Sequence, residues 1–142
     1  MKELFWGISP SGGELLRCAP VWERHGLTLS PAQCAALERH QAAVLWKTGR
    51  VDFGGGALSV LALAFCDSPY IQSADFPDTL AALTELFYTL KNETYDQVGD
   101  EALAAAMAAR FHESGGSLEG FTAVEPAWYL RFAVKTEGHH GR

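Results

Sequence analysis

Apolar positions recur along most of this chain at the three- and four-residue spacing of helices, and glycine or proline punctuates them. Ser30-Pro31 reads as an N-cap followed by the first helical residue, because Ser accepts a bond from an orphan N–H and Pro has no N–H to lose. The helix it opens carries Cys34, Leu37, His40, Val44 and Leu45 on one side, turns Glu38, Arg39 and Trp46 away, and closes at Gly49. A second pattern begins near Asp75 with Pro77 and Asp78 in its first turn. Phe76, Leu80, Leu83, Leu86, Phe87 and Leu90 form its stripe, with Ala81, Glu85, Thr89 and Asn92 opposite. A third starts at Gly99-Asp100-Glu101, is rich in alanine, has Leu103, Met107 and Phe111 inside, and stops at Ser114-Gly115-Gly116-Ser117.

The stretch Ala57 to Cys66 differs, being apolar on every side. Its Leu and Ala content predicts a buried central helix, while the alternation Leu61-Ala62-Leu63-Ala64-Phe65 keeps a strand reading open. Gly54-Gly55-Gly56 forces a turn before it and Ser68-Pro69 ends it. Toward the ends, Glu14 to His25 predicts a helix closed by Gly26 and kinked at Pro20. Glu125-Pro126 predicts a cap before the aromatic segment 126–135, and 137–142 reads as a frayed tail. The expected fold is all-α: a compact single-domain bundle of about five helices spanning residues 1–136, packed round 57–66.

One echo crosses this pattern. Pro31-Ala-Gln-Cys-Ala-Ala-Leu37 and Pro77-Asp-Thr-Leu-Ala-Ala-Leu83 match 46 residues apart. No third copy follows, so the match is read as two helix starts with one cap chemistry and not as a solenoid.

Charge and cysteine content narrow the classes. The chain carries a net charge of −6, concentrated in residues 67–125, where eleven acids face only Lys91 and Arg110. A nucleic-acid surface needs clustered cations, so no nucleic-acid partner is expected. Three widely spaced cysteines, Cys18, Cys34 and Cys66, are a poor disulfide framework and fit a reducing compartment. The start Met-Lys-Glu-Leu-Phe-Trp-Gly does not read as a signal peptide, and the apolar run falls short of the ~20 residues of a membrane span. A cytoplasmic protein with no membrane association is the expectation.

Signatures of chemistry are sparse. The triple glycine before a helix could offer backbone N–H groups to an anion, but no third Gly-x-Gly-x-x-Gly glycine and no Lys-Ser/Thr follow it, and Asp52 would repel an anion. Metal ligation needs three or more converging His, Cys or carboxylate groups; Cys34 with Glu38, and Cys18 with His25, stop at two. Neither a nucleophile elbow nor a cofactor motif occurs, so no catalytic residue, metal or cofactor is assigned. His40, at the margin of its stripe, reads as a hydrogen-bonded structural histidine. If the helix of 57–66 runs antiparallel to that of 75–91, then Lys91, Asn92 and Glu93 land beside Asp52, Gly54, Gly55 and Gly56 in a polar rim. The competing reading makes Lys91 and Asn92 helix terminators.

Phe53-Gly-Gly-Gly56, Phe65-Cys-Asp-Ser-Pro-Tyr70, Glu85-Leu-Phe-Tyr88 with Lys91-Asn-Glu-Thr94, and Gly115-Gly-Ser-Leu-Glu119 occur in that order. Together they resemble a small family of uncharacterised bacterial proteins of unknown function, over about residues 25–120. The resemblance implies a bacterial, cytoplasmic, stand-alone protein and supplies no activity. The segment Gly120 to Pro126 departs from the family pattern.

Two functions remain. One is a non-catalytic protein-interaction or assembly module, for a protein partner or a second copy of itself, with Trp6, Trp22, Trp46 and Trp128 as anchors beyond the needs of a small core. The alternative is a small-molecule-binding protein or enzyme with its site at the triple-glycine rim.

Overall fold

A computed structural model describes residues 13–51 and 56–118, and every regular element among them is helical. The order is α1 (Gly13–Leu16), α2 (Ala19–Glu23), α3 (Pro31–Lys47), α4 (Leu58–Phe65), α5 (Phe76–Glu93) and α6 (Asp100–Glu113), with a 3-10 turn, Ser73–Asp75, leading into α5. The helix expected over Glu14 to His25 is two short pieces, broken at Arg17 and Cys18 just ahead of Pro20, which sits in the first turn of α2 where a missing N–H does no harm. Trp6, Trp128, the segment 126–135 and the tail 137–142 lie outside the described residues.

α3 begins as its cap residues predict. The Ser30 hydroxyl accepts from the Gln33 amide at 3.0 Å, and the Gln33 side chain accepts in return from the Ser30 amide at 2.8 Å. It buries Cys34, Leu37, Gln41 and Val44, so Gln41 joins the apolar stripe. His40 keeps its structural role, its Nε2 lying 3.1 Å from the Ala81 carbonyl and 3.5 Å from Glu85.

The stretch 57–66 is the central helix, α4, and packs against each of the other five. Leu58, Leu61, Ala62 and Phe65 are buried, whereas Leu63 is 43 % exposed, so one flank of this rod reaches solvent despite its composition. α3 and α5 run side by side in the same direction. Thr28 and Ser73 bond just before their starts at 3.0 Å, His40 meets Ala81 midway, and Arg50 meets Asn92 at 2.7 Å beyond their ends. α4 and α6 run the opposite way, with Phe65 and Phe111 edge to face at 5.4 Å.

Among the described residues α3–α4 and α5–α6 are therefore two αα-hairpins stacked in parallel. The 46-residue echo is structural and extends well beyond two helix starts. Buried Cys34, Leu37, Gln41 and Val44 correspond to buried Leu80, Leu83, Phe87 and Leu90, and Leu58, Leu61 and Phe65 to Ala104, Met107 and Phe111. Equivalent residues meet across the stack, as Phe65 and Phe111 do, because stacking a repeat on its neighbour places like positions side by side. Each hairpin has an apolar flank it cannot bury alone. α1 packs on both helices of the first hairpin, and Trp22 of α2, fully buried, meets Phe76 edge to face at 5.9 Å. This tryptophan belongs to the core.

Candidate functional site

Four helix termini gather at one end of the stack: the C-termini of α3 and α5 and the N-termini of α4 and α6. α3 and α5 close in the same way. Gly49 N–H donates to Trp46 and Arg50 N–H to Leu45; 46 residues on, Tyr95 N–H donates to Asn92 and Asp96 N–H to Lys91. Such a closure needs a left-handed residue, and Gly49 supplies it at φ +72°. In the second hairpin that position is Tyr95, at φ 54°, followed by Asp96 at φ 60°.

Of the seven rim residues expected from sequence, Gly56, Lys91, Asn92 and Glu93 are described; Asp52, Gly54 and Gly55 lie outside the described residues. Lys91 is buried. Its Nζ donates to the Val98 carbonyl at 2.8 Å, pairs with Asp100 at 2.8 Å and lies 3.9 Å from Asp96. Asn92 bridges the two parallel helices, its Nδ2 donating to the Thr48 carbonyl at 3.0 Å and its Oδ1 accepting from Arg50. Glu93 is exposed.

Gly56, at φ +73°, stands where a Cβ would collide with the Gln41 amide. That close approach serves α4, whose first N–H groups have no partner within the helix. Gln41 Oε1 accepts from Ala57 N at 3.0 Å and from Leu58 N at 3.2 Å, and the Tyr88 hydroxyl also accepts from Ala57 N at 3.0 Å. The Ala57 and Leu58 donors are thus capped by side chains of neighbouring helices. Tyr88 reaching Ala57 confirms that α4 and α5 run antiparallel.

Sequence reasoning missed Arg50, Asp96 and Asp100. The Arg50 guanidinium forks onto Asp96 at 2.6 and 3.3 Å and lies over the Tyr88 ring at 5.6 Å. It holds the Asp96 carboxyl below the usual carboxylate range, with burial opposing and the charges of Arg50 and Lys91 assisting. Two cations and two carboxylates therefore neutralise one another in a chain, Arg50, Asp96, Lys91, Asp100. The signal was present in the sequence, since Arg50 and Asp96 are equivalent positions of the 46-residue echo.

Around this ion network stand three large apolar side chains: Trp46 at 87 %, Val51 at 75 % and Tyr95 at 82 % exposure. Val51 and Tyr95 each adjoin a member of the Arg50–Asp96 pair, and Trp46 is one turn before Arg50.

Burial pushes the Cys34 thiol up to about 11, with Glu38 and Cys18 adding to it, and burial raises Cys66 as well, both away from the thiolate a nucleophile needs. Among the described residues no group of three or more metal-ligating side chains converges, and no helix is long and apolar enough to cross a membrane.

No curated protein and no solved structure matches this chain. A family model does match, across residues 14–131, which takes in both hairpins and the α1–α2 segment before them. The chain belongs to that family, DUF6323, a family of unknown function.

Proposed function

We propose that this chain is a non-catalytic protein-interaction module that binds a partner through the end of the stack bearing Trp46, Val51 and Tyr95. Tyr95 carries the reading. An aromatic residue in the left-handed region is strained by roughly 1–2 kcal/mol, a position where glycine costs nothing sterically. The equivalent closure in the first hairpin uses Gly49. The tyrosine ring gains no burial at 82 % exposure, so the fold alone gives no reason to keep it there. Backbone strain kept without a packing return marks a functional position. Trp, Tyr and Arg are the favoured anchors of protein interfaces, and Trp46, Tyr95 and Arg50 bring one of each to this end. The Arg50–Asp96–Lys91–Asp100 chain fixes the helix ends beneath them, so contact costs little further ordering.

The reading includes a reducing, cytoplasmic setting, supported by three free thiols. A small molecule held at the triple-glycine end has weaker support, because Lys91, Asn92 and the first N–H groups of α4 already have partners.

Site-specific photo-crosslinking in the native host tests the proposal. A benzophenone side chain at position 46 or 95 should trap one discrete protein species, whether another protein or a second copy, and the same group at exposed Arg39 should not. Identical crosslinks from all three positions, or none from 46 and 95, overturn the proposal.

A further inference from the structure

The opposite end of the stack holds a feature that the interaction surface above does not use. Between the start of α5 and the end of α6 lies an open groove of about 320 Å³. Its apolar walls are Tyr70, Phe111 and Leu118, and its acidic edge is Asp75 and Asp78. The shape is built in. Gly116, at φ +89°, lies so close to Tyr70 that a Cβ would come within 2.5 Å of the Tyr70 Cβ, so the tyrosine lies flat against the backbone. Phe111 meets the Tyr70 ring edge to face at 6.5 Å and His112 meets it at 5.6 Å, which fixes the ring while leaving it 46 % exposed. Two stretches of the family resemblance, the one ending at Tyr70 and the one beginning at Gly115, converge here.

The charge is one-sided. Among the described residues no Lys or Arg lines the groove and no cation pairs with Asp75 or Asp78. Asp75 holds the N-cap position of α5 without its carboxylate capping the helix. Aromatic walls beside two carboxylates that no described cation pairs with suit a cation on an alkyl stem. The stem packs on the ring while the head meets the carboxylates. A groove open on one side cannot enclose a free small molecule as ligand pockets do, but it can take a side chain anchored by its own backbone.

We propose that this groove receives a lysine or arginine side chain presented by a partner polypeptide. The proposal is independent of the Trp46–Tyr95 surface, which lies at the other end of the stack.

Nitrogen-15 NMR of the full-length protein tests it, with an acetylated and amidated Gly-Gly-Arg-Gly-Gly peptide as probe. The expected result is saturable shifts confined to the amides of Tyr70, Thr79, Gly116 and their neighbours. They should weaken with added salt and vanish when glutamine replaces the arginine. The double variant Asp75→Asn/Asp78→Asn, with an unchanged circular dichroism spectrum, should bind at least fivefold more weakly. Equal shifts from the glutamine peptide, shifts spread over the acidic surface, or unchanged affinity in the double variant would overturn the proposal. Binding of free agmatine as tight as that of the peptide would make the groove a small-molecule site instead. A gain in affinity on Arg131→Gln/Lys135→Gln would mean that the chain's own basic segment is the occupant. Either result would also overturn the proposal.

Discussion

Tyr95 and Asp96 are consecutive L-residues in left-handed geometry, and the two are held there differently. The Asp96 carboxylate takes the Arg50 fork, whereas the exposed Tyr95 ring receives no comparable compensation from the described residues. Replacing Tyr95 by Gly removes the steric strain and adds chain entropy to the unfolded state, for a net gain of about 0.5–1 kcal/mol. Urea denaturation should show that gain, and the crosslink trapped at position 46 should weaken in the same variant. Asp96 makes a pH prediction. Its carboxyl titrates below its unfolded value, so the stabilisation is present above that value, about 4, and is lost as pH falls through the folded one. Between about pH 5 and pH 3 the wild type should lose more stability than Asp96→Asn; the side chain is half exposed, so salt should shrink the difference. Cys34 runs the other way. A thiol raised to about 11 stabilises the fold at neutral pH and ceases to do so as pH climbs from about 9 toward that value. In native protein at pH 8, iodoacetamide should leave Cys34 and Cys66 unmodified and should alkylate both after denaturation.

At the scale of elements, the start of α4 depends on residues that are distant in sequence. Ala57 N–H has two acceptors, Gln41 and Tyr88, and Leu58 N–H has Gln41. Gln41→Leu should cost about 1–2 kcal/mol for the Leu58 donor it orphans, and Tyr88→Phe less, because Gln41 still serves Ala57. The double variant strips Ala57 of both acceptors and should cost more than the two singles together, by about 0.5 kcal/mol or more, in a thermal or urea denaturation cycle. The α3 stripe was legible from periodicity, but Gln41 was not. A polar side chain does not register in an apolar stripe, and the approach of Gly56 and the start of α4 give its amide a buried task. Lys91 was singled out for the polar rim, but its burial was not legible. A lysine near a helix C-terminus reads as a solvated cap, and burial becomes tolerable because Val98 and Asp100 of the following segment accept from its ammonium and Asp96 lies close by.

For the molecule as a whole, α4 is the hinge of the packing. Leu61, fully buried where α4 meets its neighbours, should lose about 3–5 kcal/mol on truncation to Ala, whereas Leu63→Ala on the open flank should change stability by less than about 1 kcal/mol. Both are measurable by calorimetry, and a single transition in each would show the two hairpins melting as one unit. By itself the sequence determined the helical class, the starts at Pro31 and near Asp75, and the central helix over 57–66. These follow from spacing, caps and breakers, which act within a few residues. Only the tertiary structure decided that the 46-residue echo is a stacked pair of hairpins, that Arg50 locks onto Asp96, that Trp22 is core, and that Tyr70 lies on Gly116. Each of these depends on which faces of separate helices meet. Periodicity records that a residue faces a neighbour, but the partner's identity and distance exist only once the chain has closed on itself.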